Sequence, residues 1–251
     1  MQELKALTLN IHKGFSTSKR RFTLERIRDG LRASGCNLVF LQEVIGENER
    51  HRKRITGWPD TGQFEFLADS VWQHHAYGKN AVYQHGHHGN AILSEIPIVD
   101  WSNTDVSSLR VSQRGILHSI LENHVHLFCV HFGLFENERR QQSDALIAMV
   151  KDRVGTDSPL LIAGDFNDWR GTTHHKLCDS LGVSEVHTTV HGGLAHTYPS
   201  LLPCLPMDSI YARGFNIVDA RILKDELWQG LSDHCALSAT VARLPEDEHG
   251  D

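Results

Sequence analysis

The sequence is poor in cysteine for its 251 residues: Cys36, Cys129, Cys178, Cys204 and Cys235 stand far apart, and no two form a CxxC pair. An odd number at wide spacing argues against a disulfide framework or a structural zinc site. No apolar run approaches the length that spans a membrane. The opening Met1-Gln2-Glu3-Leu4-Lys5 lacks the basic segment and apolar stretch of a secretory leader. Positive charge is also in deficit, with 25 Lys and Arg against 31 Asp and Glu and a net charge of −6. No global field therefore draws in a polyanion, which counts against a tight, metal-independent nucleic-acid binder. An enzyme whose metal neutralises phosphate locally is still allowed. Repeats, low-complexity linkers and breaks in composition are absent as well. The expectation is one domain over 1–243, an acidic, disordered tail over 244–251, no transmembrane segment, no protein partner and a cytoplasmic setting.

What is present is ordinary globular material, 40% hydrophobic and 22% charged. That is enough to bury a substantial core without staples. Leu160-Leu161-Ile162-Ala163 does not alternate, so it reads as a strand buried on both faces. Gly164 lets the chain bend as it leaves the sheet. The strand then delivers Asp165, Asn167 and Asp168 to the sheet edge, either as an Asx turn or as a site for a hard cation and a phosphate.

Similar strands are expected over Leu4 to Ile11, Asn37 to Val44, Tyr77 to Tyr83, Asn90 to Ser94, Gly115 to Leu121 and His126 to Val130. Further strands are expected over Asp208 to Ala212, Asn216 to Leu223 and Cys235 to Val241. Helical spacing predicts helices over Thr23 to Ser34, near Phe64 to Val71, over Glu136 to Val154 and near His174 to Leu181. Arg50 to Arg54 reads as a basic loop able to hold a polyanion or anionic headgroup, and His85 to Gly89 as a polar loop. Residues 101–114 and 192–206 read as loops too. Strands come both as hairpin pairs and with helices between them, which predicts mixed sheets in layers with helices outside.

The strand ends share one chemical vocabulary: Asn10, Glu43, His131, Asp165 with Asn167, and Asp233 with His234, while Asp208 starts another strand. Strand ends in layered α/β folds are where ligand sites are built. This inventory suits hydrolysis of a phosphate ester. Glu43 and Asp165 offer hard oxygen ligands. His234 with Asp208 is a candidate acid–base pair, since a carboxylate fixes the tautomer and supports the imidazolium. Asn10, Asn167 and His131 are neutral donors for phosphate oxygens. Arg114 is expected to pair with a site carboxylate.

TLNIH with Asn10, LQEV with Glu43, VHFGL with His131, GDFND at 164–168, MDSIY at 207–211 and SDH at 232–234 occur in this order, with GNAILSEIP at 89–97 between them. The set resembles the endonuclease/exonuclease/phosphatase superfamily, also called DNase I-like, over nearly the whole chain. The resemblance implies a four-layer α/β sandwich, two mixed β-sheets packed face to face with helices on the outside. It implies a Mg²⁺- or Mn²⁺-dependent phosphoesterase. Carried over by position, Glu43 is the metal ligand with Asn10 nearby, and Asp233 supports a metal or His234. Asp165 orients or activates the water, Asn167 holds phosphate, His234 is the acid/base residue and Asp208 orients it. His131 matches the second histidine of the DNase- and sphingomyelinase-like members, where the abasic-site repair branch has tyrosine, which points away from a repair endonuclease. His12 stands where some members carry an acid, a departure from a carboxylate-rich second metal position. Asp168 is expected only to shape the turn.

The reading is a metal-dependent phosphodiesterase acting on nucleic acid or a phospholipid-type headgroup. The alternatives are a phosphomonoesterase on a soluble sugar or inositol phosphate, and a non-catalytic binding member of the fold. Specificity is expected in loops at 46–60, 84–89, 101–114 and 192–206, none of which names a ligand.

Overall fold

A computed structural model describes residues 3–17, 21–108 and 112–244. The expected tail, beyond Leu244, lies outside them. The first half of the chain runs β1 (Glu3–Asn10), α1 (Leu24–Ser34), β2 (Leu38–Asn48), α2 (Glu49–Arg54), α3 (Gln63–Ala68), β3 (His74–Tyr83), β4 (Gly86–Ser94) and β5 (Ile98–Asp105). Then come β6 (Gly115–Leu121), β7 (His126–His131), α4 (Glu136–Arg153), β8 (Leu160–Asp165), α5 (Thr172–Leu181) and β9 (Ser184–Glu185). The chain closes with α6 (Val186–His191), β10 (Asp208–Arg213), β11 (Phe215–Leu223) and β12 (Ala236–Arg243). Among these residues no helix is long and apolar enough to cross a membrane.

The strands form two mixed six-stranded sheets, ordered β11-β12-β1-β2-β4-β3 and β5-β6-β7-β8-β10-β9. Each holds a single parallel pair, β1 with β2 and β7 with β8. A parallel pair needs a long crossover, which α1 and α4 provide. The two parallel pairs carry Asn10, Glu43, His131 and Asp165.

Strand parity builds the layers. Leu4 and Ala6, Leu38 and Phe40, Leu127 and Cys129, Leu161 and Ala163 all pack between the sheets. The alternate residues Leu7, Leu9, Val39 and Leu41 pack under α1 and α3 with Trp72 and Trp228. Phe128, Val130, Leu160 and Ile162 pack under α4 and α5 against Leu146, Met149, Val150 and Leu177. The expected α/β sandwich with helices outside is therefore present.

Four segments differ from the sequence expectation. The basic stretch is the helix α2, because the Asn48 side chain accepts from the His51 N–H and caps it. The histidine-rich loop is the start of β4, because β2 continues past the site and pairs Ile45 with His88 while β3 pairs on the other side. Two neighbouring strands outweigh the poor strand propensity of Gly and His. The segment 101–114 begins as the edge strand β5, which has one neighbour and an exposed face and so needs no apolar pattern. The stretch after Leu181, expected to run as a loop through Pro206, contains α6, a short polar helix capped by Glu185 at the Thr188 N–H.

Gly164 belongs to the strand itself and allows a close approach of backbones. Its φ is +152°, and a Cβ there would lie 2.0 Å from the Val130 carbonyl oxygen. Gly164→Ala is expected to cost about 2–4 kcal/mol, read from urea unfolding.

His118 stacks on Phe128 with ring centroids 4.2 Å apart, and its Nε2 lies 3.0 Å from His126 Nδ1. Burial, then the charges of His126 and Arg153, lower its pKa to about 4. The folded ring therefore stays neutral where the unfolded ring takes up a proton. Its contribution is complete above the unfolded pKa of about 6.5 and is lost as pH falls toward 4. Between pH 7 and pH 4 the wild type is expected to lose up to about 3 kcal/mol that His118→Phe retains. Urea titrations at the two pH values measure this difference.

Candidate active site

The inner faces of the two sheets turn polar at one end of the sandwich. Asn10 continues the parity of Leu4 and Ala6, His131 that of Leu127 and Cys129, and Asp165 that of Leu161 and Ala163. Asp208 precedes Ile210 and Ala212 of the same inner layer, and it pairs across the ladder with Asp165. A fixed register thus sets four candidate site residues on the same floor.

Asp165 is the junction. Its Oδ2 accepts from Asn10 Nδ2 at 3.0 Å and lies 3.5 Å from His131 Nε2 and 3.8 Å from His234 Nε2. Its Oδ1 accepts from the Asn167 backbone N–H at 3.1 Å. Asn167, held at φ +50°, donates its amide to the Phe132 carbonyl at 2.9 Å. Such a backbone conformation is costly away from glycine and is found where a site demands it.

His234 Nδ1 lies 2.8 Å from Asp208 Oδ2. A carboxylate only accepts, so Nδ1 carries a proton and Nε2 is the end that faces Asp165. Thr197 Oγ1 donates to the same Asp208 oxygen at 2.6 Å, while Asp208 Oδ1 is buried with no hydrogen-bond partner among the described residues. The Tyr198 ring covers His234 at a centroid distance of 5.0 Å.

Glu43 reaches the site by a different device. Leu41 pairs with Ala91 and Val44 with Gly89, so Gln42 and Glu43 together oppose the single residue Asn90. This bulge, with Glu43 at φ +56°, swings its carboxylate off the regular alternation. Lys13 Nζ binds it at 2.7 Å. Asp233 Oδ1 lies 3.5 Å from His12 Nδ1, and Ser232 Oγ donates to the Asn10 carbonyl at 2.6 Å.

Electrostatics divide the site in two. Burial, aided by the Arg114 charge, lowers His131 to about 4, so it is neutral. Burial also opposes charge on His234, but Asp208 and then Asp165 raise it to about 10, so it is an imidazolium. Asp165 is pushed up by burial against the pull of His234 and His131. Glu43 suffers the same burial, yet His131, which is protonated in the acid range where Glu43 titrates, together with Lys13 and His12 holds it well below the usual carboxylate range.

A hard divalent cation suits the oxygen donors at the Glu43 side, where the carboxylate is ionised and its Lys13 partner is half-exposed and displaceable. Asp165, Asp208 and His234 also bring ligand atoms within 4.8 Å of one another. There Asp208 holds His234 as an imidazolium, and a protonated Nε2 does not ligate a cation, so the trio suits the handling of protons better than the holding of metal.

Asn10, His131, Asp165, Asn167, Asp208 and His234 thus form one network, with Glu43 and Asp233 on its border. Asp168 lies outside it: its carboxylate accepts from the Thr172 and His174 N–H groups at the start of α5, as expected of a turn former. Arg114 departs from expectation. No carboxylate lies within ion-pair distance of it among the described residues, and its charge acts on His131 and His88 instead. The sequence reading missed Lys13, Thr197 and Ser232. Lys13 was signalled by its place three residues after Asn10, whereas Thr197 sits in a loop with no pattern.

The profile of the Endonuclease/Exonuclease/phosphatase family matches residues 7–234. The uncharacterized protein YbhP of Escherichia coli (strain K12) is 43% identical over 242 residues, covering 94% of this chain and 95% of its own. An endonuclease/exonuclease/phosphatase from Beutenbergia cavernae superposes with a TM-score of 0.79 at 17% identity, covering 97% of this chain and 72% of that one. The human Nocturnin catalytic domain, determined with a bound sulfate anion, gives a TM-score of 0.71 at 16% identity, covering 96% and 94%. At these identities the two structures speak for the fold alone.

Proposed function

Since the chain belongs to the endonuclease/exonuclease/phosphatase family, we propose that it is a divalent-metal-dependent phosphodiesterase in which Asp165 and His234 do the proton work. The observation that carries this reading is the position of Asp165 between the neutral donors Asn10 and His131 and the His234–Asp208 pair. A buried carboxylate whose proton affinity is raised is suited to accept a proton from an attacking water. His234, kept charged by Asp208, offers Nε2–H to the phosphoryl oxygens as negative charge builds on them. His131 and Asn167 fix the phosphate without adding charge. Mg²⁺ or Mn²⁺ held by Glu43 with Asn10 and Asp233 would neutralise a non-bridging oxygen and the leaving oxygen.

Purified protein is expected to hydrolyse bis(p-nitrophenyl) phosphate with Mg²⁺ or Mn²⁺, to stop with EDTA and to recover when metal is returned. No metal-dependent turnover on that diester, or on a panel of DNA, RNA, phospholipid and sugar phosphate, would overturn the reading. Glu43→Gln is expected to raise the metal concentration for half-activation about 10-fold or more. An unchanged metal titration would remove Glu43 from the ligand set.

A further inference from the structure

The rim of this site carries apolar side chains in solvent and a block of positive charge. Leu201 and Leu202 are 78% and 76% exposed, and Leu134 and Phe135 are 58% and 65% exposed. Neither pair hangs on a loose tip. Ser200 is tied by its N–H to the Asp233 carbonyl at 2.8 Å and by its hydroxyl to the Ser232 carbonyl at 2.7 Å. The two leucines are therefore held out beside His234. On the opposite sheet, Leu134 and Phe135 follow His131. The Gly133 N–H donates to Gln142 Oε1, and Arg139 donates to the Leu134 carbonyl while its guanidinium lies 4.3 Å over the half-exposed Trp169 ring.

The charge belongs to the same mouth. Thr17 Oγ1 donates to the Ser232 carbonyl and lies 3.3 Å from Ser200 Oγ. Two residues earlier, Phe15 packs on the His51 ring of α2 at 5.6 Å. One short segment thus joins the leucine turn to a helix whose Arg50, Lys53 and Arg54 are exposed, while its Arg52 pairs with Asp60 at 3.3 Å and Glu49 stands at its start. In a chain of net charge −6 this is a local concentration of the opposite sign. Rigidly held apolar side chains beside a cluster of Lys and Arg are the composition of a face that docks on an anionic bilayer. Nucleic acid uses the cations and finds two rings, Phe135 and Trp169, to stack on, but Leu134, Leu201 and Leu202, which make up the rest of the exposed apolar rim, give its bases nothing.

We infer that the mouth of the site is a docking face for anionic phospholipid membrane. Leu201–Leu202 and Leu134–Phe135 enter the interface while α2 binds the headgroups, which makes a lipid phosphodiester at the bilayer surface the substrate. The substrate part rests on the phosphodiesterase reading above; the docking part does not, and the two are measured separately.

Full-length protein is sedimented with vesicles of phosphatidylglycerol, or of phosphatidylcholine, in EDTA so that no turnover occurs. Binding is expected on phosphatidylglycerol and weaker on phosphatidylcholine. The pairs Leu201→Asp with Leu202→Asp, and Arg50→Glu with Lys53→Glu, are each expected to weaken it at least about 10-fold, since each removes one of the two attractions. Val99→Asp, at an exposed position on β5 toward the end of the sandwich away from the site, serves as control and is expected to bind as wild type. Thermal melts confirm that each variant is folded. Failure of wild type to bind vesicles, binding unchanged in both variants, or preference for single-stranded DNA over vesicles overturns the inference. Vesicle binding by a protein that hydrolyses no diester would sink the phosphodiesterase reading and leave the docking face standing. Turnover of bis(p-nitrophenyl) phosphate without vesicle binding would do the reverse.

Discussion

Asp165→Asn is expected to lower turnover of a phosphodiester about 10³-fold or more while leaving the stability of the fold close to that of the wild type, because the relief of a buried charge offsets one lost hydrogen bond. The two halves of this expectation come from the same environment. Asp165 is fully buried, and burial raises its pKa, so holding it ionised costs folding free energy. An asparagine of the same shape removes the charge that burial penalises and the repulsion from Asp208, but its single oxygen keeps only one of the two bonds, that from the Asn10 amide or that from the Asn167 N–H, and its NH2 meets the other donor. It cannot take a proton from water. Stability and activity should therefore move apart, as they do where a site is strained for function. The assay is kcat/KM on bis(p-nitrophenyl) phosphate beside the urea midpoint of both proteins. A rate within tenfold of wild type would mean that Asp165 is not the base. A rate loss accompanied by a large fall in midpoint would make Asp165 a structural residue.

Much of this site was legible in the sequence because the inner-layer strands are regular. Once Leu161 and Ala163 are assigned to the layer between the sheets, alternation places Asp165 on the same side. The same reasoning carries Asn10 and His131 from their own strands. Glu43 reaches the border of this network for a reason periodicity could not supply. Its position depends on a bulge at Gln42 and Glu43, and a bulge breaks the alternation that a pattern reader follows. Thr197 was out of reach altogether. It meets Asp208 only because the chain between α6 and β10 folds back, with the Thr197 N–H donating to the Leu205 carbonyl. That meeting is a tertiary event with no local signature. The misread segments share another cause. α2, the start of β4 and β5 are polar, and they owe their structure to a cap or to neighbouring strands. The helix α2 is also where the rim charge lies, so the least legible part of the chain is the part that bears on substrate choice.

Asp208→Asn tests which way His234 moves its proton. In the wild type the Asp208 carboxylate, 2.8 Å from Nδ1, is the chief reason that His234 has a pKa near 10 despite its burial. Removing that charge lets burial act with Asp165 and, more weakly, Asp233 opposing, and the pKa falls toward its ordinary value of about 6.5. If the imidazolium is the active form, the alkaline limb of the rate profile must move down by several pH units, and the rate at pH 8 is expected to fall about 10²-fold or more. Stability follows the same proton with a fixed sign. A group whose folded pKa is raised contributes fully below its unfolded pKa and loses that contribution as pH rises toward 10. The variant's loss of Tm relative to wild type should therefore be larger at pH 6 than at pH 9. His234→Ala removes the donor outright and is expected to cost about 10³-fold with no alkaline limb left to shift. If Asp208→Asn instead moved the acid limb and left the alkaline one in place, neutral His234 would be the working form. The base would then be His234, and Asp165 would be left to orient the water.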